Sequence, residues 1–236
     1  KGLTSTALYY YDVVIMEKVA KLLGNDKDAV HFGDMKHNIS QAFNEKFFDV
    51  KKKLYASGSQ AANAVPLALG LVERKNEKNV LKAIIDNIRD HQNHLTTGEV
   101  GHYYLLNALL QKGKSDIIFD MASQTSAPSY GYQLSQGVTT LTEDWNAERH
   151  SPQNHFMLGH IEQWFYEGLA GINPGPESKG FDKILIKPQI VGDITWVKAT
   201  YKSVRGKISI HWQREKTIIK LNITIPANTE ALAYIP

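Results

Sequence analysis

GINPGPESKG, residues 171–180, is the stretch at which the chain changes its hydrophobic period. Upstream of it, apolar residues recur at three- and four-residue intervals, as in helices that bury one face. Downstream they alternate with polar residues, as in strands lying half in and half out of a core. Ile208, Ile210 and Trp212 alternate with Lys207, Ser209 and His211, and Ile219, Leu221, Ile223 and Ile225 alternate with Lys220, Asn222 and Thr224. Turn signals at Val204-Arg205-Gly206 and around Arg214-Glu215-Lys216 separate these runs. The fold is therefore expected to be mainly α with a C-terminal all-β domain, helical over residues 1–174 and an antiparallel sheet module over 175–236, one face buried.

Working back from that boundary, Leu158, Ile161, Phe165 and Leu169 define a last helix, with Trp164 on its apolar stripe. Leu105, Leu106, Leu109 and Leu110 mark another between Val100 and Gln111, ended by Gly113, and a short one follows from about Lys114 to Gln124. Leu81, Ile84, Ile85 and Ile88 make the cleanest amphipathic pattern. SQAANAVPLALGLV, residues 59–72, is rich in Ala and carries Pro66, which removes a helix hydrogen bond. FFDVKKKLYASGS, residues 47–59, reads as a small hairpin or a long loop. At the start, Tyr11, Val14, Ile15, Val19 and Leu22 fall on one face of a helix from Thr4 to Leu23, and Phe32, Met35, Ile39, Ala42 and Phe43 pattern a second from Asp26 to about Glu45. The turn at Gly24 makes these two antiparallel neighbours. About seven helices and then a sheet module are legible, with no fixed-period repeat.

Composition excludes several classes of function. The 236 residues are 42% apolar and 22% charged, as in ordinary globular proteins, and the net charge of +3 is spread without a basic block, so no nucleic acid partner is expected. No apolar run approaches the ~20 residues that span a bilayer, so no membrane insertion is expected. The absence of cysteine rules out a disulfide framework or a Cys-based zinc site. It leaves the compartment open, with a periplasmic or secreted location favoured over a cytoplasmic one. His91 and His94 lie three apart without a third ligand near them in sequence, so no metal is expected there. Gly131 and Gly137 are turn residues, not a phosphate loop. The triplets Asn38-Ile39-Ser40 and Asn222-Ile223-Thr224 match the glycosylation pattern, which arises readily by chance.

The chemistry concentrates in GVTTLTEDWNAERHSPQNH, residues 137–155, where Glu143 and Asp144 sit beside Trp145 and ahead of Asn154 and His155. Carboxylates move protons and an indole face stacks on a pyranose ring, so acid, aromatic and imidazole in one loop-like stretch suit sugar chemistry. Consecutive residues rarely face each other across a substrate, which argues against Asp144 as the acid partner of Glu143.

HLTTGEVGHYYLLNALLQKGKSD, PSYGYQLSQGVTTLTEDWN, SPQNHFMLGHIEQWFYEGLAGINP and FDKILIKPQIVGDITWVKATYKSVRGKISIHW resemble, in order and spacing, consecutive blocks of bacterial α-L-rhamnosidases, glycoside hydrolase family 78. The resemblance reaches back through LYASGSQAANAVPLALGL and DVVIMEKVAKLLGNDKDA to cover nearly the whole chain. It implies part of an (α/α)6 barrel followed by a β-sandwich, and cleavage of terminal α-L-rhamnosides with inversion. A complete barrel of that kind is built from six helix pairs, more than are legible here. The resemblance is thus to the C-terminal portion of the barrel plus the trailing sheet domain. The chain also begins without Met, directly in a helical pattern, so a fragment of a longer chain is expected.

An inverting glycosidase places a protonated carboxyl on the leaving oxygen and a carboxylate across the ring to activate water, roughly 6.5–9.5 Å apart. In the family the base is the Glu of an ATTxWERW-like segment, which matches Glu143 in VTTLTEDW. The general acid lies in a CPxREKxGWxGD-like loop that these residues do not contain. The resemblance therefore implies Glu143 as catalytic base, with Trp145 and His155 at family positions near the sugar. Tyr130, Tyr132, Asn154 and Glu99 complete the candidate set, Asn154 read as fixing the loop or His155, and Glu99 as favouring the N-terminus of the helix that follows it over reaching the sugar. Thr142 stands where the family usually has Trp, and Tyr130 where it often has Trp.

The expected partner is a rhamnose-containing glycan or glycoside, with no cofactor. A fragment of this kind is expected to be inactive alone and to expose an apolar surface where the missing N-terminal part of the barrel, another chain, or a second copy in a homo-oligomer would pack. The alternatives are a non-catalytic carbohydrate-binding or structural helical-barrel module, and another helical-barrel glycan-active enzyme.

Overall fold

The computed structural model describes residues 2–148 and 152–235 and divides the chain into two compact units, Lys1–Ala108 and Leu109–Pro236. The first is helical. Helix α1 (Gly2–Leu22) turns at Gly24 into α2 (Asp26–Phe47), whose first turn is capped by the Asn25 side chain accepting from the Asp28 N–H. The two pack as an antiparallel pair: Gly2 of α1 lies near the Phe47 ring at the far end of α2, and Glu17 meets Lys36 at mid-length.

The buried face of α1 is Ala7, Tyr10, Val13, Glu17 and Ala20. Most of the stripe legible in the sequence points outward instead: Tyr11, Ile15, Val19 and Leu22 are 42%, 41%, 40% and 78% exposed, while Val14 is half-buried. The buried face combines two alanines with Tyr10 and Val13, and the residues of the opposite stripe are left as an exposed band with Leu8. Periodicity identifies the helix correctly but does not say which of two apolar faces meets the neighbour.

Glu17 explains why a charge sits on the buried face. Its carboxylate accepts from Lys21 Nζ at 2.6 Å and from Lys36 Nζ at 2.5 Å. Those two hydrogen bonds hold its pKa below the usual carboxylate range, outweighing the opposing effect of burial. A carboxylate depressed in this way contributes stability that is present above its unfolded pKa and is lost as pH falls through its folded pKa. Glu17→Gln is expected to destabilise the fold by about 1 kcal/mol at neutral pH, a charge-assisted pair discounted because both lysine heads reach solvent. The deficit should shrink toward pH ~3 as the wild-type carboxylate protonates. Urea titrations at the two pH values check this, and a deficit that persists undiminished in acid contradicts it.

The 47–59 stretch forms a small hairpin. Strands β1 (Phe48–Asp49) and β2 (Leu54–Tyr55) pair antiparallel, and Asp49 Oδ1 closes the turn by accepting the N–H groups of Lys51 and Lys52 at 2.9 Å. Ser59 then caps α3 (Gln60–Ala68), which contains Pro66, and α4 (Glu77–Asp90) buries Val80, Ile84 and Ile88. The imidazoles after α4 engage backbone, His91 Nδ1 with Asn87 O and His94 Nδ1 with His91 O. Helix α5 (Glu99–Gln111) begins in this unit and runs on into the next.

In the second unit, α6 (Ser115–Ala122) and α7 (Tyr130–Ser135) precede the last helical segment, which is not one uniform helix. It passes from a 3₁₀ turn (Phe156–His160) through α8 (Ile161–Gln163) to a π-helical turn (Trp164–Leu169). The wider turn moves Phe165 off the expected stripe and leaves it exposed, while Trp164 is buried with its Nε1 donating to Ser115 Oγ at 2.9 Å.

The chain then reverses at Gly171 (φ +74°), where an added Cβ would lie 2.2 Å from Pro188 N. Only glycine fits so near that backbone. Strands β3 (Ile172–Pro174), β4 (Lys183–Ile186) and, from the chain end, β8 (Glu230–Ala233) make one sheet, in the order β3-β4-β8. Strands β5 (Trp196–Ser203), β6 (Gly206–Glu215) and β7 (Ile218–Thr224) make an antiparallel meander. The sheets share a core of Ile172, Ile184, Ile186, Ile208, Ile210 and Trp212. The β6 alternation read from sequence holds residue by residue. The pairing is antiparallel except that β8, returning after the meander, lies parallel to β4.

Candidate active site

Glu143 lies in the second unit, in a segment without regular secondary structure, and its side chain is exposed. The backbone around it is tied on both sides. The Glu143 N–H donates to Pro152 O at 3.0 Å and the His155 N–H to Leu141 O at 2.8 Å, so residues 141–143 run beside 152–155 like a short ladder. Thr140 Oγ1 adds a hydrogen bond to Gln153 O. One residue beyond Glu143, the Asp144 carbonyl accepts from Thr142 Oγ1 at 2.6 Å and from Gln133 Nε2 at 3.3 Å. The Asp144 carboxylate accepts the Asn146 N–H at 2.9 Å, which is a turn-closing role.

The aromatic candidates form the wall behind this segment. Trp145 is buried and meets the Tyr130 ring edge-on, with centroids 5.0 Å apart and planes at 86°. Tyr130 in turn donates its hydroxyl to Leu158 O at 2.5 Å, and burial pushes its phenol well above the usual range, so it stays protonated and donating. Tyr132 is half-buried on the same helix, and its N–H is taken by Ser129 Oγ, the buried cap of α7. His155 is half-buried at the start of the 3₁₀ turn, its ring stacked on Phe156, and Asn154 is exposed beside it. Glu143, Trp145, Tyr130, Tyr132, Asn154 and His155 all belong to this unit. Glu99 belongs to the other, as the half-buried first residue of α5, where a carboxylate suits the helix N-terminus.

Gln133 is a further buried residue beside the site, and the sequence carries no signal of this beyond its place three residues after Tyr130 on α7. Thr142, which departs from the family pattern, is fully buried and bonded. The arrangement offers an exposed carboxylate on a braced loop, next in the chain to a buried indole packed on a half-buried tyrosine, with an imidazole close by along the chain.

Residues 1–169 match the model of the bacterial alpha-L-rhamnosidase 6 hairpin glycosidase domain. The chain belongs to this family. Residues 171–236 match the model of the bacterial alpha-L-rhamnosidase C-terminal domain. An alpha-L-rhamnosidase of Formosa agariphila is 28% identical over 244 residues, taking in 100% of this chain and 26% of that protein. Among solved structures, an alpha-L-rhamnosidase from Dictyoglumus thermophilum superimposes with a TM-score of 0.91 at 34% identity, covering 98% of this chain and 26% of that one. The Streptomyces avermitilis alpha-L-rhamnosidase, solved in complex with L-rhamnose, gives the same TM-score at 28% identity, covering 98% of this chain and 23% of that one. The rhamnosidase-family chain thus spans about a quarter of the length of the relatives it matches. Among the described residues, no helix is long and apolar enough to cross a membrane.

Proposed function

We propose that this chain forms part of an inverting α-L-rhamnosidase and supplies its water-activating base, Glu143, while the general acid is contributed by sequence outside these 236 residues. The observation that carries the reading is Glu143 itself, an exposed carboxylate whose own N–H and whose next residue's carbonyl are hydrogen-bonded, within a chain matched along its length to rhamnosidases. The substrate is a terminal α-L-rhamnoside of a glycan or small glycoside. In this reading Trp145 and Tyr130 form the apolar wall, and His155 and Asn154 supply hydrogen bonds to sugar hydroxyls. The carboxylate takes a proton from water as the water attacks the anomeric carbon, and the distant acid protonates the departing oxygen.

The exposed band of Leu8, Tyr11, Ile15, Val19 and Leu22 on α1 supports the same reading, as a surface on which the remaining helices of the domain pack. The test is hydrolysis of an aryl α-L-rhamnoside by the full-length protein, with the anomer of the first-formed rhamnose read by NMR and Glu143→Gln as the paired variant. A retained anomeric configuration, or a Glu143→Gln rate near that of the parent, would overturn the proposal.

A further inference from the structure

We infer that Gln133 and Thr142 are positioning residues that hold the Glu143 carboxylate in register by jointly gripping the carbonyl of Asp144, an inference that rests on the reading of Glu143 as the base. A catalytic side chain on an irregular segment is only as well placed as its backbone, and a displacement of 1 Å can cost on the order of 100-fold in rate. The ladder to Pro152 and His155 secures the residues before Glu143 and its own N–H. It leaves the peptide after Glu143 to be fixed by something else.

That peptide leads to the Asp144 carbonyl, which takes one hydrogen bond from within the loop, Thr142 Oγ1 at 2.6 Å, and one from outside it, Gln133 Nε2 at 3.3 Å. Both donors are withdrawn from water, with Thr142 0% and Gln133 2% exposed. A carbonyl oxygen has two lone pairs, and two buried donors take them both. Gln133 suits the task chemically because its amide donates without adding charge beside a carboxylate that must accept a proton.

The outside donor matters because α7 is itself rigidly placed. Ser129 caps it, and at Gly131 the backbone runs so close to residues 124–125 that an added Cβ would lie 2.5 Å from Gln124 O. Tyr130 and Gln133, three residues apart, share one face of the helix. Tyr130 meets Trp145 and bonds Leu158 O, while Gln133 bonds Asp144 O. One helix face thus fixes the two residues that follow Glu143, transferring the order of a helix to a loop.

The test is steady-state kinetics in the full-length enzyme on an aryl α-L-rhamnoside, with rates referred to the folded fraction measured by thermal melting. Gln133→Leu and Thr142→Val are each expected to lower kcat about 10-fold with KM within roughly twofold. Thr142→Ser, which keeps the hydroxyl, should stay within about twofold of the parent. Gln133→Glu keeps the volume but replaces the donating amide with oxygen, and should lose at least as much as Gln133→Leu. The inference is overturned if either Gln133→Leu or Thr142→Val retains kcat within about twofold, if the losses fall in KM and not kcat, or if Thr142→Ser is as impaired as Thr142→Val. Glu143→Gln in the same assay separates the two ideas: an inactive Glu143→Gln beside a fully active Gln133→Leu rejects the grip alone, whereas an active Glu143→Gln rejects the base.

Discussion

Glu143→Gln in the full-length enzyme is expected to lower kcat on an aryl α-L-rhamnoside by at least ~100-fold, with little change in KM or melting temperature. The amide has the size and shape of the carboxylate but cannot take a proton from attacking water, and general-base catalysis typically contributes between ~100- and ~10,000-fold. The loop should keep its conformation, because among the described residues the contacts that tie it are made to the backbone groups of Leu141, Glu143, Asp144 and His155, not by the Glu143 side chain. A loss confined to kcat therefore isolates the chemical step from folding and binding. Asp144→Asn provides the contrast. Asp144 accepts the Asn146 N–H in a turn, and an asparagine side-chain carbonyl can do the same, so this variant is expected to remain within about 10-fold of the parent. If the two variants behave alike, the division of labour between neighbouring carboxylates is wrong.

Trp212→Ala should cost about 3–5 kcal/mol, a large share of the ~5–15 kcal/mol by which a domain is stable. Trp212 is the largest of the fully buried side chains, centred on β6 between the two sheets. Its Nε1 also donates to Leu169 O at 2.7 Å, tying the end of the last helical segment to the sheet core. Truncation leaves both a cavity and a buried carbonyl without its donor, and the two costs add. Trp212→Phe keeps most of the volume and loses mainly the hydrogen bond, so about 1–2 kcal/mol is expected. Guanidinium denaturation followed by far-ultraviolet circular dichroism checks both, and a Trp212→Ala cost below ~1 kcal/mol would contradict the placement at the centre of the core.

The sheet module was the most legible part of the chain, since the alternation of Ile208, Ile210 and Trp212 appears directly as the buried face of β6. A strand has only two faces, and one is apolar. The last helical segment was less legible, because a 3.6-residue template cannot register a 3₁₀ turn and a π turn in succession, and so it misplaced Phe165. At the site, residue type and motif context singled out Glu143, Trp145 and His155, but nothing local to Gln133 announces that it reaches a carbonyl eleven positions later.

Sequence alone thus determined most of the helices, the alternation of β6, the change from helix to strand at residues 171–180, and the stretch proposed to carry the acid chemistry. Each of these depends on neighbours along the chain, whose spacing the sequence states outright. Only the tertiary structure decided that α1 buries the face of Ala7, Tyr10, Val13, Glu17 and Ala20 and exposes that of Tyr11, Ile15, Val19 and Leu22, and that Gln133 on α7 and Thr142 share the carbonyl of Asp144. Those choices are made between segments distant in sequence, where close approach, available partners and the need to satisfy buried polar groups outweigh local periodicity.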